Sequence, residues 1–365
     1  MVLELFPSRR LAIYLAKLFV TRIVGVLILL VMVLQVLDLL SESGNILAHP
    51  GNGEAQIWHY VGLRAPQLVA RFLPYSVLLA TLFTFFPLNQ NSEVIAMRAA
   101  GLSAHQILAP LLATAMIVSG VSFAFNELVV TQSTARLKAW QGAGWGEVPA
   151  DSTTRANVYL LDGPNILVAD AISGSDNAIA MAGVTWYARD ARGMITTRLR
   201  SAHARYAKPG WQLEAPEQFD VASTTTRRLP DTVVARGITP RQVEISNVDA
   251  DQLNIMQLSR AIRSLRASGH RTAELDGKWW HKISGPLSAL LMPLLGSVAA
   301  FGLARSGQLF IRAVIGMALG FAYFVVDNMA LALGNFGGYP PLIAAWAPFF
   351  LFLAVGEAVL VRTEE

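Results

Sequence analysis

Asn89-Gln-Asn-Ser-Glu-Val-Ile-Ala-Met-Arg-Ala-Ala-Gly-Leu-Ser103 is a short segment between two long apolar runs. Asn91 or Ser92 can cap a helix here, because their side-chain oxygens can accept hydrogen bonds from the first free backbone N–H groups. Glu93 suits the positive end of the helix dipole, and Gly101 can end the helix in a left-handed conformation. The segment therefore predicts a short capped helix between two membrane spans, through which another protein can apply force to this chain.

The composition indicates an integral membrane protein. The chain has 365 residues, of which 53% are hydrophobic and 15% are charged, whereas soluble domains carry about 25% charged residues. The net charge of +4 is modest and no basic patch predicts nucleic-acid binding, and without cysteine the chain has neither disulfides nor thiolate chemistry. The first apolar run is too long for a cleaved signal peptide, so we expect an uncleaved anchor.

Six stretches approach the roughly 20 apolar residues that cross a bilayer. They are Leu18–Leu40, Phe72–Leu88, Ala104–Phe125, Ile283–Leu303, Phe310–Leu333 and Leu342–Val361. The sequence thus predicts an α-helical membrane protein with three plus three spans. The expected domains are residues 1–126 with the first three spans, an inserted domain at 127–276, and residues 277–365 with the last three.

The inserted domain has the short period of β-strands. The predicted strands are Asn157–Leu161, Asn165–Ala169, Val184–Ala188, Met194–Arg200, Ala202–Ala207, Trp211–Glu214 and Phe219–Thr225. Turn clusters such as Asp162-Gly163-Pro164 separate them. Short strands at this spacing predict an all-β sandwich. From Asp249 to Ser268 a helical period returns, which we expect to lead the chain back to the membrane.

The orientation follows from Lys and Arg residues near the membrane. With a cytoplasmic N-terminus, the inside holds the larger set, which is Arg9, Arg10, Lys17, Arg22, Arg98, Arg305, Arg312 and Arg362. The smaller set lies at the outer ends of the spans, on the side of the membrane away from the cytoplasm. It is Arg64, Arg71, Lys278 and Lys282. This bias predicts cytoplasmic termini, a cytoplasmic 89–103 segment and an external β domain.

Motifs for catalysis are absent from the sequence. There is neither a Gly-x-x-x-x-Gly-Lys-[Ser/Thr] phosphate loop nor a Gly-x-Ser-x-Gly elbow. The six histidines, at positions 49, 59, 105, 203, 270 and 281, lack metal-ligand spacing. We therefore predict no catalytic, cofactor-binding or metal site in this chain.

The four outer cations form two pairs by spacing. Arg64 and Arg71 are seven residues apart, and Lys278 and Lys282 are four apart, so each pair shares a helix face. An anionic lipid head group in the outer leaflet would explain them. The alternative is that they are snorkelling side chains that anchor helix ends.

Two further features lie within the fifth predicted span. Asp327, with Asn328 beside it, is an ionisable residue at membrane depth, which suggests function, although a structural ion pair is an equal alternative. Gly316 and Gly320 form Gly-x-x-x-Gly, which permits close helix approach.

Several motifs occur together in a specific order. They are Phe72-Leu-Pro-Tyr75, Asn91-Ser-Glu-Val-Ile-Ala-Met-Arg-Ala-Ala-Gly101, Asn126-Glu-Leu-Val129, Met256-Gln-Leu-Ser259, Leu265-Arg-Ala-Ser-Gly269, Pro286-Leu-Ser288 and Gly338-Tyr-Pro-Pro-Leu-Ile-Ala-Ala-Trp-Ala-Pro348. With this arrangement the chain resembles the lipopolysaccharide-export permease family over nearly its whole length. Trp280-His-Lys-Ile283 and Val326-Asp-Asn328 look more like the G-type than the F-type subunit.

The resemblance implies a Gram-negative inner-membrane transporter and its partners. It implies a β-jellyroll for the periplasmic domain, an F-type permease that forms a heterodimer with this chain, and a dimeric cytoplasmic ATPase that uses ATP and Mg. It also implies a single-span periplasmic jellyroll subunit and a periplasmic bridge protein, with lipopolysaccharide as cargo. The cargo would enter a V-shaped cavity between the permeases, through gates that involve the first and fifth spans.

The resemblance also implies roles for particular residues. The 89–103 helix would be the coupling helix that docks in the ATPase, through Glu93, Val94, Met97 and Arg98. G-type subunits often carry lysines at the outer end of the first span, whereas this chain has Gln35, Asp38 and Glu42 there. Contacts to lipid phosphates are therefore expected elsewhere or in smaller number.

The sequence leaves two alternative functions open. A permease of another ABC system, for a mechanical transducer or another lipid, would also have a periplasmic domain, but that class typically has four spans. A membrane enzyme acting on lipid or glycan would need several ionisable groups at one depth, and only Asp327 lies well inside a span.

Overall fold

A computed structural model describes residues 8–146, 155–173, 179–190, 192–240, 243, 249–267, 271–297, 301 and 308–362. The chain divides into two compact units. The first comprises Met1–Asp38, Ala65–Thr131 and Leu253–Glu365, and the second comprises Leu39–Arg64 and Gln132–Gln252. The inserted unit thus takes in a helical segment near residue 50 and ends before the predicted border at 276.

Nine α-helices occur among the described residues. They are α1 Arg9–Ala48, α2 Glu54–Gln90, α3 Glu93–Ala99, α4 Ala104–Phe125, α5 Thr131–Gly142, α6 Ile255–Ala267, α7 Ala273–Gly296, α8 Gln308–Asn335 and α9 Pro341–Arg362. A π-helical segment, Asn126–Val130, joins α4 to α5, and a 3-10 helix, Ala250–Gln252, precedes α6.

The first unit is built from apolar helices around a single core. Buried side chains from α1, α2, α4, α7, α8 and α9 form one cluster, in which Phe19, Phe85 and Tyr323 are almost fully buried. Other large apolar side chains point outward, such as Met32 and Leu37 of α1, which are 57% and 58% exposed. Helices satisfy their own backbone hydrogen bonds, so such apolar surfaces suit a bilayer.

Five helical segments in the described part of the chain are long and apolar enough to cross a membrane. They are Arg9–Ala48, Glu54–Gln90, Ala104–Gly142, Ala313–Asn335 and Pro341–Arg362. The predicted fourth span coincides with α7, which begins with charged residues and ends at Gly296. Part of that prediction, at 298–300 and 302–303, lies outside the described residues, so the fourth span stays a prediction.

The second unit contains an antiparallel sheet of eight strands. The strands are β1 Arg155–Asp162, β2 Asn165–Ser173, β3 Ala180–Arg189, β4 Ile195–Ala207, β5 Gly210–Leu213, β6 Glu217–Asp220, β7 Thr225–Arg228 and β8 Thr232–Val234. The hydrogen-bonded order is β1-β2-β3-β4-β5-β8, and β6 pairs with β4 and β7. An inserted β domain is therefore confirmed, although the described strands form one continuous sheet rather than the two sheets of a sandwich.

Two strand boundaries differ from the sequence prediction. The predicted strands Met194–Arg200 and Ala202–Ala207 form the single strand β4, whose first part pairs with β6 and whose second part pairs with β5. The Ser201 hydroxyl lies where the partner changes and donates to the carbonyl of Glu214 at 2.6 Å. Conversely, Phe219–Thr225 is split, because Asp220 accepts hydrogen bonds from the backbone and hydroxyl of Ser223 and so makes a turn.

The sheet encloses its own apolar core. Trp211 of β5 is fully buried, and its indole N–H donates to the carbonyl of Ile238 at 3.0 Å. A smaller cluster in the same unit joins Ile46 and Tyr60 to Leu137 and Trp140 of α5. This cluster explains why the end of α1 and the start of α2 group with the inserted unit.

Candidate functional site

Helix α3 ends in a complete Schellman motif. Gly101 has φ +86°, and its N–H donates to the carbonyl of Arg98 at 3.0 Å. The N–H of Leu102 donates to the carbonyl of Met97 at 3.2 Å. Because a positive φ favours glycine, the predicted role of Gly101 as the helix stop is confirmed.

The start of α3 differs from the prediction. Ser92 is the N-cap, but it has φ +60° and makes no side-chain capping bond. The usual cap has extended backbone angles that aim the hydroxyl at the next N–H groups, and a left-handed residue departs from them. The side-chain capping occurs one helix later, where Ser103 and Gln106 form a reciprocal capping box that begins α4.

The predicted coupling residues lie on different faces of α3. Val94 is 3% exposed in the core of the first unit, and Met97 packs against that core. Arg98 is exposed and Glu93 is partly exposed. Ile95 is 50% exposed and belongs to the outer face, although no sequence pattern singled it out. Successive helical residues point about 100° apart, so Val94 and Ile95 cannot both face the core.

Lys282 of α7 takes part in a buried ion pair. Its ammonium group lies 2.9 Å from Oε1 of Glu127, and the two side chains are only 10% and 11% exposed. The other oxygen, Oε2, accepts the backbone N–H of Ile255 at the start of α6. Glu127 lies in the π-helical segment, so one carboxylate connects three elements. This geometry gives Lys282 a structural partner in place of an open site.

The other three outer cations are more accessible. Lys278 lies 3.5 Å from Glu274 one turn earlier, and its side chain is 36% exposed. Arg71 is exposed in the first unit, while Arg64 is partly exposed in the second. Lipid contact by Arg64, Arg71, Lys278 and Lys282 stays a prediction, and Arg71 is the one of the four that is exposed.

Asp327 of α8 is buried with one oxygen near a histidine. Its side chain is 8% exposed, and Oδ2 lies 3.9 Å from Nε2 of His281 on α7. Oδ1 has no hydrogen-bond partner among the described residues. Asn328 donates to the carbonyl of Phe324 at 2.7 Å, which is a local contact within α8. The neighbour of Asp327 is thus a histidine on an adjacent helix, and its functional role stays a prediction.

The two glycines of the Gly-x-x-x-Gly motif in α8 lie against neighbouring helices. A Cβ atom at Gly320 would be 2.3 Å from Cδ2 of Leu78 on α2. One at Gly316 would be 3.3 Å from Cδ2 of Leu82 and 3.5 Å from the carbonyl oxygen of Leu295. These short distances are consistent with the helix-packing role predicted for Gly316 and Gly320.

No group of three or more His, Cys, Asp or Glu side chains in the described part of the chain is arranged to hold a metal. The candidate site is instead α3, a short helix that lies between the apolar helices α2 and α4 in the chain and ends at Gly101. A match to the family described as "Lipopolysaccharide export system permease LptF/LptG" covers residues 13–362. The chain belongs to this family.

Individual relatives carry the G-type name. The lipopolysaccharide export system permease protein LptG of Escherichia coli strain K12 is 26% identical over 312 residues, which are 83% of this chain and 84% of the relative. LptG of Haemophilus influenzae is 24% identical over 328 residues, which are 86% and 89% of the two chains. Membership in the LptF/LptG permease family favours transport over the enzyme alternative.

Proposed function

We propose that this chain is the G-type permease of an ABC transporter for lipopolysaccharide. In this proposal the transporter extracts the lipid from the outer leaflet of the inner membrane and passes it to a periplasmic bridge for the outer membrane. A separate dimeric ATPase, which docks on α3, binds ATP and Mg and supplies the energy. The LptF/LptG family match and the LptG names of the relatives support this function.

The geometry of α3 carries the proposal. A helix of seven residues has little stability of its own, because isolated helices shorter than about 12–15 residues are marginal in water. Here the Schellman motif closes one end, and Val94 fixes the helix to the core of the first unit. Ile95 and Arg98 remain on the outer face. Such a helix transmits force as a rigid body, as coupling to an ATPase requires.

The remaining partners are an F-type permease, a single-span periplasmic jellyroll subunit and the bridge protein. The exposed apolar side chains of α1, such as Met32 and Leu37, support a surface that contacts lipid or a second permease. The charge bias of the sequence supports cytoplasmic termini and a periplasmic β domain.

Protease treatment of spheroplasts tests this orientation. We expect cleavage within the β domain, for example in residues 192–194 before β4, and protection of the 89–103 segment. Disrupted cells serve as the control, because both regions are then accessible. Cleavage at 89–103 in intact spheroplasts would reverse the proposed topology.

Glu93→Ala tests docking to the ATPase. If Glu93 only favours the helix dipole, its loss costs about 0.3–1 kcal/mol and transport continues. If Glu93 pairs with a group in the ATPase groove, truncation costs about 2–5 kcal/mol of binding, much of it from the stranded partner. We expect the second result: a stable membrane protein that loses the ATPase on purification and fails to release lipopolysaccharide from vesicles with ATP.

Met97→Ala is the matched control, because Met97 packs against the core of the first unit. We expect it to lower stability more than it lowers ATPase retention. Normal ATP-driven release by Glu93→Ala at wild-type protein levels would show that Glu93 has no docking role.

A further inference from the structure

A cleft of about 440 Å³ lies at one end of the helical unit, apart from α3 and from Asp327. Its walls are α6, the start of α7 and the start of α9. Pro340 and Leu342 form the wall near α9, and Trp280 contributes an indole ring from α7. The cleft therefore combines apolar surface with the polar side of α6.

The polar wall of the cleft is held in place by several hydrogen bonds. The indole N–H of Trp279 donates to the hydroxyl of Ser259 at 2.7 Å. Arg266 donates to both carboxylate oxygens of Asp276, at 3.0 and 2.8 Å, and the hydroxyl of Thr272 donates to the same carboxylate at 2.8 Å. The charge of Arg266 is therefore balanced, and α6 is fixed against α7.

Arg263 contributes a charge that the described residues do not balance. It is exposed and lines the cleft. Its Nε donates to the carbonyl of Ser259 at 3.4 Å, and no ion pair joins it to another residue in the described ranges. The terminal nitrogens of its guanidinium group are thus available to an anion.

The position of the cleft along the helices indicates the depth of the membrane interface. The adjacent Trp279 and Trp280 follow the charged first turns of α7 and precede its apolar part. The candidate spans on either side end at Asn335 and begin at Pro341, so the lining residues Pro340 and Leu342 lie at the same level. Tryptophan is enriched at this level, where one side of the ring is apolar and the other is wet.

We propose that this cleft binds the phosphodiester head group of a resident anionic glycerophospholipid. Arg263 donates hydrogen bonds to the phosphate, and Trp280 and Leu342 contact the first carbons of an acyl chain. The volume of the cleft is near the lower end of the range for ligand sites, which is about 300–1,000 Å³. The cleft therefore fits a single head group and not a glycolipid with many acyl chains. It is thus distinct from the path of the cargo.

The test is lipid retention measured by native mass spectrometry. The full-length protein, with the subunits that co-purify, is exchanged into detergent containing phosphatidylglycerol or phosphatidylcholine at equal concentration. We expect preferential retention of phosphatidylglycerol, and about a tenfold loss in Arg263→Gln, as for one charge-assisted hydrogen bond. Arg263→Lys should keep part of this preference because it keeps the charge.

Arg260→Gln is the matched control, because Arg260 is exposed on the same helix but does not line the cleft. We expect it to retain phosphatidylglycerol as the wild type does, and thermal unfolding should be alike in all three variants. Equal losses in Arg260→Gln and Arg263→Gln would overturn the site in favour of general surface charge. Displacement by inorganic phosphate alone would indicate a free-anion site, and displacement by equimolar lipopolysaccharide would indicate a cargo site; either result overturns the proposal.

Discussion

The helical unit contains a buried ion pair, whereas the ion pairs on the described part of the sheet are exposed. In the helical unit, Glu127 and Lys282 are nearly buried, and Glu127 joins the π-helical segment to α6 and α7. In the sheet, the ion pair Arg228–Glu217 is exposed, with side-chain exposures of 81% and 50%. Helices complete their backbone hydrogen bonds alone, whereas strands need each other. Side chains therefore connect the helices, while backbone pairing connects the strands.

Lys282→Ala should give the largest effect. It strands the buried carboxylate of Glu127, and breaking a buried ion pair in this way costs about 3–5 kcal/mol. Thermal unfolding in detergent measures the loss. Lys278→Ala is the matched control, because its pair with Glu274 is exposed and such pairs contribute about 0.3–0.5 kcal/mol. Equal losses of thermal stability would show that burial does not make the Lys282–Glu127 pair more important than the exposed pair.

Trp211→Phe addresses the core of the sheet unit. It removes the N–H that satisfies the buried carbonyl of Ile238, which should cost about 1–3 kcal/mol. Trp186→Phe serves as the control, because Trp186 is also buried but its indole nitrogen has no hydrogen-bond partner among the described residues. Thermal unfolding followed by the circular dichroism signal of β-sheet measures the loss of stability. A similar cost for both substitutions would assign the effect to ring size rather than to the hydrogen bond.

Gly320→Ala should give the smallest of these losses. The added Cβ would lie 2.3 Å from Cδ2 of Leu78, so α8 and α2 must adjust. We expect about 1 kcal/mol, the low end for overpacking, because the end of a leucine side chain can rotate. Gly120→Ala in α4 meets nothing within 4 Å and should cause no loss of thermal stability. If Gly320→Ala is as stable as the wild type, glycine is not required for this helix contact.

Much of the local structure follows from the sequence alone. Apolar length predicted the spans in α1, α2, α4, α8 and α9, because a chain in lipid must satisfy its backbone within each helix. Gly101 ends α3 because glycine readily adopts φ +86°. The predicted turn joins β1 to β2: Asp162 ends β1, and Gly163 and Pro164 form the turn, for the same kind of local reason.

Other features depend on contacts between residues far apart in the chain. The pairing of Lys282 with Glu127, 155 positions away, leaves the Lys282 side chain only 10% exposed, and no local pattern reveals this pairing. Tertiary packing also decided that Val94 is buried while Ile95 is exposed. The sequence by itself determined where most helices, strands and turns lie, since those preferences are largely local, although it divided β4 in two and joined β6 to β7. Only the tertiary structure decided which side chains remain available to lipid or to a partner, because burial depends on what the rest of the chain brings alongside.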